Sequence, residues 1–86
     1  MENKKARKMF EKLGYSYEKN DLGSIRYFKK FKNLCKVIAF DFYHSEVNPF
    51  YILKGGKRNP LELSFSEIEA INKQLKEYEK SENFNE

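Results

Sequence analysis

The sequence predicts a two-layer α+β sandwich in the order αββββα, an antiparallel meander sheet covered by an N-terminal and a C-terminal helix. Three observations predict it. Residues 25–53 alternate aromatic residues with lysines and then become mostly apolar, the pattern of strands. The strongly charged segments on either side repeat their apolar residues at helical spacing. Clusters of Asn, Asp, Gly, Pro and Ser divide the central stretch at short intervals, as hairpin turns do.

The 86 residues are enough for one domain, expected over 1–80, with 81–86 as a disordered polar tail. The apolar share leans on eight Phe and six Tyr, whose rings let a short chain bury much area per residue. No apolar run approaches the ~20 residues that cross a bilayer, and Lys4, Lys5, Arg7 and Lys8 precede no signal-type segment. The expectation is a cytoplasmic protein with no membrane partner.

Residues 4–13 carry Ala6, Met9, Phe10 and Leu13 at i, i+3, i+4 and i+7, one apolar stripe. Asn3 suits the N-cap, Gly14 the left-handed C-cap, and Lys12 complements the helix dipole in the last turn. The basic first turn opposes the dipole, so this helix is expected to depend on docking its stripe onto the sheet.

Residues 15–20 read as a short, polar edge strand, and Asn20, Asp21, Gly23 and Ser24 turn the chain into a second strand over 25–31. There Ile25, Tyr27, Lys29 and Phe31 share one face, and Arg26, Phe28 and Lys30 the other. A turn near Lys32 and Asn33 precedes the third strand, 36–43, whose continuous apolar run marks it as central, with Asp41 pointing away from the main core. Pro49 suits the start of a fourth strand over 50–54, residues 55–60 a charged loop, and residues 61–63 a brief extended piece. Ser66 and Glu69 have capping-box spacing, with Phe65 and Ala70 as a staple. The helix they open repeats Ile68, Ile71, Leu75 and Tyr78 and frays near Lys80.

Catalysis has little to work with. His44 and Cys35 are each the single residue of their kind, and a nucleophile–base pair would lack a third group to orient it. His44 reads as a turn residue, Cys35 as a small strand residue with a reactive thiol as the alternative, and Asp41 and Glu46 as solvated neighbours across a turn. One His and one Cys cannot close a metal site without several carboxylates, so neither metal nor cofactor is expected, and the chain reads as a non-enzyme.

Charge points to binding. The formal net charge of +4 divides into +7 over residues 1–36 and −3 over 37–86, which attracts polyanions or an acidic surface to the first half. In Lys54-Gly55-Gly56-Lys57-Arg58, glycines free the backbone to turn amides toward an anion, and three cations would hold a phosphate. The segment lacks the strand–loop–helix context of a phosphate-binding loop, and the competing reading is a flexible hairpin connection with solubilising charges. The interleaved run Arg26 to Lys32 offers cations beside stacking rings, as single-stranded nucleic acid or nucleotides require. With Tyr27 and Phe31 spent on the core, Arg26, Lys30 and Phe28 would remain. The candidate anion-binding set is therefore Arg26, Lys30, Lys54, Gly55, Gly56, Lys57 and Arg58.

The segments Ala6-Arg7-Lys8-Met9-Phe10-Glu11-Lys12-Leu13-Gly14-Tyr15 and Glu69-Ala70-Ile71-Asn72-Lys73-Gln74 resemble the opening (ARxxFExLGY-like) and closing (AINKQ-like) stretches of short proteins encoded in prophages and phages of Gram-positive bacteria. The resemblance covers about a third of the chain and carries over no catalytic residue. It implies an accessory protein acting inside a bacterial host by binding, as counter-defence, either sequestering a phosphorylated nucleotide signal or inhibiting a host defence protein. The rival expectation is a regulatory nucleic-acid-binding module. A homodimer paired along an exposed edge strand would double a shallow site.

Overall fold

The computed structural model describes residues 5–20 and 23–84. Asn3, Lys4, Asp21 and residues 85–86, expected as a cap, a helix start, part of a turn and the end of a tail, lie outside them. The elements are α1 (Lys5–Lys12), β1 (Ser16–Lys19), β2 (Ile25–Lys30), β3 (Leu34–Asp41), β4 (Glu46–Leu53), β5 (Arg58–Pro60) and α2 (Phe65–Phe84). This is the expected α+β class, with a sheet in the order β1-β2-β3-β4-β5 and every neighbour antiparallel. Among the described residues no helix is long and apolar enough to cross a membrane.

The sheet has five strands where the sequence suggested four. The additional one, β5, lies in the segment read as a loop. Arg, Asn and Pro have little strand preference, but Gly55 and Gly56, at φ of 112° and 93°, reverse the chain so tightly that Arg58 falls opposite Ile52 and Pro60 opposite Phe50. Pro60 is tolerated because β5 is an edge. The other boundaries shift for the same reason, since tight turns return residues to the ladder early. The Phe31 amide donates to the Leu34 carbonyl at 2.7 Å, so β3 starts at Leu34 rather than 36. Ser45, in the left-handed region at φ 56°, closes the next turn, and β4 starts at Glu46, with Pro49 inside the strand rather than at its head.

The chain divides into two compact units. In the sheet unit, Tyr15–Glu62, strand alternation sorts the side chains onto two faces. One face carries the cross-strand rows Ile25–Phe40–Val47 and Tyr17–Tyr27–Ile38–Pro49. Tyr27, Ile38 and Phe40 are at most 1% exposed there, and the Tyr27 and Phe40 rings meet edge to face with centroids 6.0 Å apart. The other face keeps Phe28, Cys35, Ala39, Phe50 and Ile52 partly exposed and Arg26, Lys30, Asn48 and Arg58 exposed.

The second unit joins Met1–Gly14 with Leu63–Glu86. In α1, Ala6 and Phe10 are buried, and Gly14 at φ 92° ends the helix with its amide on the Glu11 carbonyl, 2.9 Å away. The unfavourable basic first turn has a local remedy: the Ala6 amide donates to the Glu77 carboxylate of α2 at 2.9 Å, so α2 supplies the negative charge that α1 lacks.

The capping box of α2 is Ser64 with Glu67, not Ser66 with Glu69. The Ser64 amide donates to Glu67 Oε1 at 2.7 Å and the Glu67 amide to Ser64 Oγ at 3.1 Å. Phe65 is consequently the first helical residue and 87% exposed, so it does not serve as the staple. The buried stripe runs through Glu67, Ala70 and Ile71, while Ile68 is 41% exposed. The helix continues to Phe84, past the expected fraying point.

Candidate anion-binding site

The sheet register brings most of the candidate cations together. Lys30, Cys35, Ile52 and Arg58 form one row across the exposed face. The β2–β3 and β4–β5 turns beyond that row lie side by side, joined by the Lys54 amide donating to the Asn33 carbonyl at 3.0 Å. Lys30, Lys32, Lys54, Lys57 and Arg58 therefore share one end of the sheet. Among the described residues none of them has a carboxylate within ion-pair distance. Their positive field is left uncompensated locally, which favours an anion from solution.

Aromatic rings stand among these cations. The Arg58 guanidinium lies over the Phe50 ring, 4.4 Å from its centroid, and Lys30 Nζ is 5.9 Å from the Phe28 centroid. Stacking on Phe50 holds the Arg58 fork in place, so it loses less freedom when it meets an anion. Phe31, expected in the core, is instead 47% exposed. On the sheet face opposite Phe28 and Phe50, Lys29 Nζ and Lys36 Nζ each lie 5.5 Å from the centroid of its ring. Those lysines are directly opposite each other on β2 and β3, an unfavourable like-charge pair that contact with the ring offsets. Lys36 was missed in the sequence, while Lys29 and Phe31 fell within the interleaved run but were left out of the candidate set, Phe31 because it was assigned to the core. Their alternation was visible, but their mutual opposition depends on a register that only the folded hairpin fixes.

The glycines act through conformation. The Gly56 amide donates to the Leu53 carbonyl at 2.8 Å and is used within the turn, while both glycines occupy positive φ with open space around them. Arg26 stands apart from the cluster. It lies two rows from Lys30, roughly 13 Å at ordinary strand rise, and its guanidinium is engaged with Glu18, with Nε 2.8 Å from Oε1.

The opposite end of the sheet is acidic. Asp41 and Glu46 pair across the β3–β4 turn, and Asp41 accepts from the His44 amide at 3.1 Å while its other oxygen lies 2.7 Å from His44 Nδ1. The side-chain hydrogen bond to His44 lowers the Asp41 pKa, and the same bond raises that of His44. Beside this end the exposed face dips into a depression of about 350 Å³ lined by Glu18, Arg26, Ala39, Asp41 and Asn48, among others.

Compared with known protein families, curated proteins and solved structures, the chain matches none.

Proposed function

We propose that this protein acts by binding, and that it takes a phosphorylated, ring-bearing small molecule such as a nucleotide at the basic end of its sheet. The observation that carries the proposal is the convergence of Lys30, Lys32, Lys54, Lys57 and Arg58, without local carboxylate partners among the described residues, beside the rings of Phe28 and Phe50. Cations on both turns hold phosphate groups through charge-assisted hydrogen bonds, and the rings offer stacking surface to the base. In the phage setting that the terminal segments suggest, such binding sequesters a nucleotide signal of host defence.

Thermal denaturation and calorimetry against a panel of linear and cyclic nucleotides test this. At about a hundredfold excess over Kd a bound nucleotide stabilises by about 2.7 kcal/mol, roughly 10–20 °C in Tm for a chain of this size. The doubly substituted Lys54→Glu, Lys57→Glu protein loses that shift while its unliganded Tm changes little. Absence of a shift with every nucleotide sinks the small-molecule reading and leaves inhibition of a host protein.

A second reading, single-stranded nucleic acid, is favoured by the partly exposed Phe31 ring flanked by two lysines. It requires affinity for oligonucleotides that falls steeply with salt, in proportion to the phosphates neutralised.

A further inference from the structure

The exposed face of the sheet has a polarity of which the anion site uses only the basic end. Along the strands its rows run from basic, with Lys30 and Arg58, through a bulky apolar row, Phe28–Val37–Phe50–Pro60, to the row Arg26–Ala39–Asn48, and end at Asp41 and Glu46. The bulky row carries two partly exposed rings. The 350 Å³ depression beside Ala39 and Asn48 is lined also by Arg26 and Glu18.

We propose that this face is a self-complementary interface that receives a second copy of the chain, face to face, about a twofold axis lying across the strands. Such an axis reverses the strand direction of one copy relative to the other. The Phe28–Val37–Phe50 row of each copy then lies over the Arg26–Ala39–Asn48 row of its partner, with Phe28 against the Arg26 side chain and Phe50 over the depression at Asn48. The Lys30–Arg58 end of each copy meets the acidic end of the other, within about one strand spacing of Asp41 and Glu46. A twofold axis parallel to the strands would instead set bulky row on bulky row and basic end on basic end, so charge selects the arrangement across the strands. Partly exposed Phe28 and Phe50 supply the apolar centre, and the charged ends fix orientation more than affinity.

Four strands by four rows give roughly 400 Å² of sheet per copy and about 800–1,000 Å² in total, the size of a weak, reversible interface. The dimer is therefore concentration-dependent. It differs from pairing along the β1 edge, and because it covers Lys30, Arg58, Phe28 and Phe50, a nucleotide bound at the basic end competes with it.

Sedimentation equilibrium from about 10 μM to about 1 mM at low ionic strength, where surface charge is least screened, tests the proposal with charge-swapped proteins. One carries Lys30→Glu and Arg58→Glu, reversing the charge of the basic row. The other carries Glu46→Lys, reversing the charge opposite that row, and leaves Asp41 to hold its turn. All three positions are exposed, and circular dichroism checks that each protein folds. The original chain dimerises; each swapped protein alone dissociates at least about tenfold more readily; and an equimolar mixture of the two regains the original affinity as a heterodimer. Concentration-dependent NMR shifts in the original chain provide an independent readout, appearing at Phe28, Val37, Ala39 and Phe50 and not along Ser16–Lys19. A chain monomeric throughout, swapped proteins that still self-associate, a mixture that fails to associate, or shifts confined to the β1 edge would each overturn the interface.

Discussion

Val37 and Ile38 are neighbours on β3, both buried, and they belong to surfaces of different kinds. The row through Ile38 is apolar or aromatic in every strand it crosses, Tyr17, Tyr27 and Pro49, and its central members are closed to solvent. The row through Val37 is also apolar at its centre, but the rows on either side bring Lys30 and Arg58 or Arg26 and Asn48 into water. Flanking charge does not make the difference, since Lys29 and Lys36 stand beside the Ile38 row as well; the faces differ in their rings, Tyr27 and Phe40 being closed to solvent and Phe28 and Phe50 partly exposed.

The largest expected effect tests that contrast directly. Phe40→Ala, on the closed face, costs about 3–5 kcal/mol, because it removes a ring 1% exposed and leaves a cavity against Tyr27. Phe50→Ala, on the open face, costs about 1–2 kcal/mol, since its ring is already partly solvated and meets only the Arg58 fork on its outer side. Urea unfolding of the two proteins measures both. Equal losses would mean that the faces differ in composition but not in burial.

Much of this was legible in the sequence because strands have a period of two. The faces of β2 and β3 follow from alternation alone, and the helical stripes through Phe10 and Ile71 follow from spacing. What was not legible depended on pairing between distant residues. Arg58–Pro60 is a strand only because Gly55 and Gly56 return it to β4, and nothing in Arg-Asn-Pro itself favours extension. The charged turn 54–58 was visible as a candidate anion site, whereas its proximity to Lys30 and Lys32, the engagement of Arg26 by Glu18, and Phe31 beside two lysines all required the register. Start signals can also be duplicated: Ser64-x-x-Glu67 and Ser66-x-x-Glu69 overlap in one segment.

That duplication gives the next prediction, a contrast between engaged and exposed residues at one helix end. Ser64→Ala removes the hydroxyl that accepts from the Glu67 amide and should cost about 1 kcal/mol. Ser66→Ala, at an exposed position within the first helical turn, should change stability by less than about 0.5 kcal/mol. Thermal denaturation of the pair decides which serine caps the helix, and a larger loss at Ser66 would move the start of α2 by two residues.

The smallest effect belongs to the acidic end of the open face, where a turn is held by chemistry with little packing. Asp41 and His44 are partly or wholly exposed, and each shifts the other through their hydrogen bond. The lowered Asp41 pKa contributes stability that is fully present above its ordinary value of 3.8 and is lost as pH falls through the lowered one. The raised His44 pKa contributes stability that is present below its ordinary value of 6.5 and is lost as pH rises through the raised one. The two contributions coexist between 3.8 and 6.5, so the turn is held most firmly in that window. NMR titration of the His44 ring reads this without unfolding the protein: in the original chain the midpoint lies above the ordinary histidine value, and in Asp41→Asn it moves back down. A midpoint that Asp41→Asn leaves in place would show that the turn is held by the backbone at Ser45, with the carboxylate no more than a neighbour.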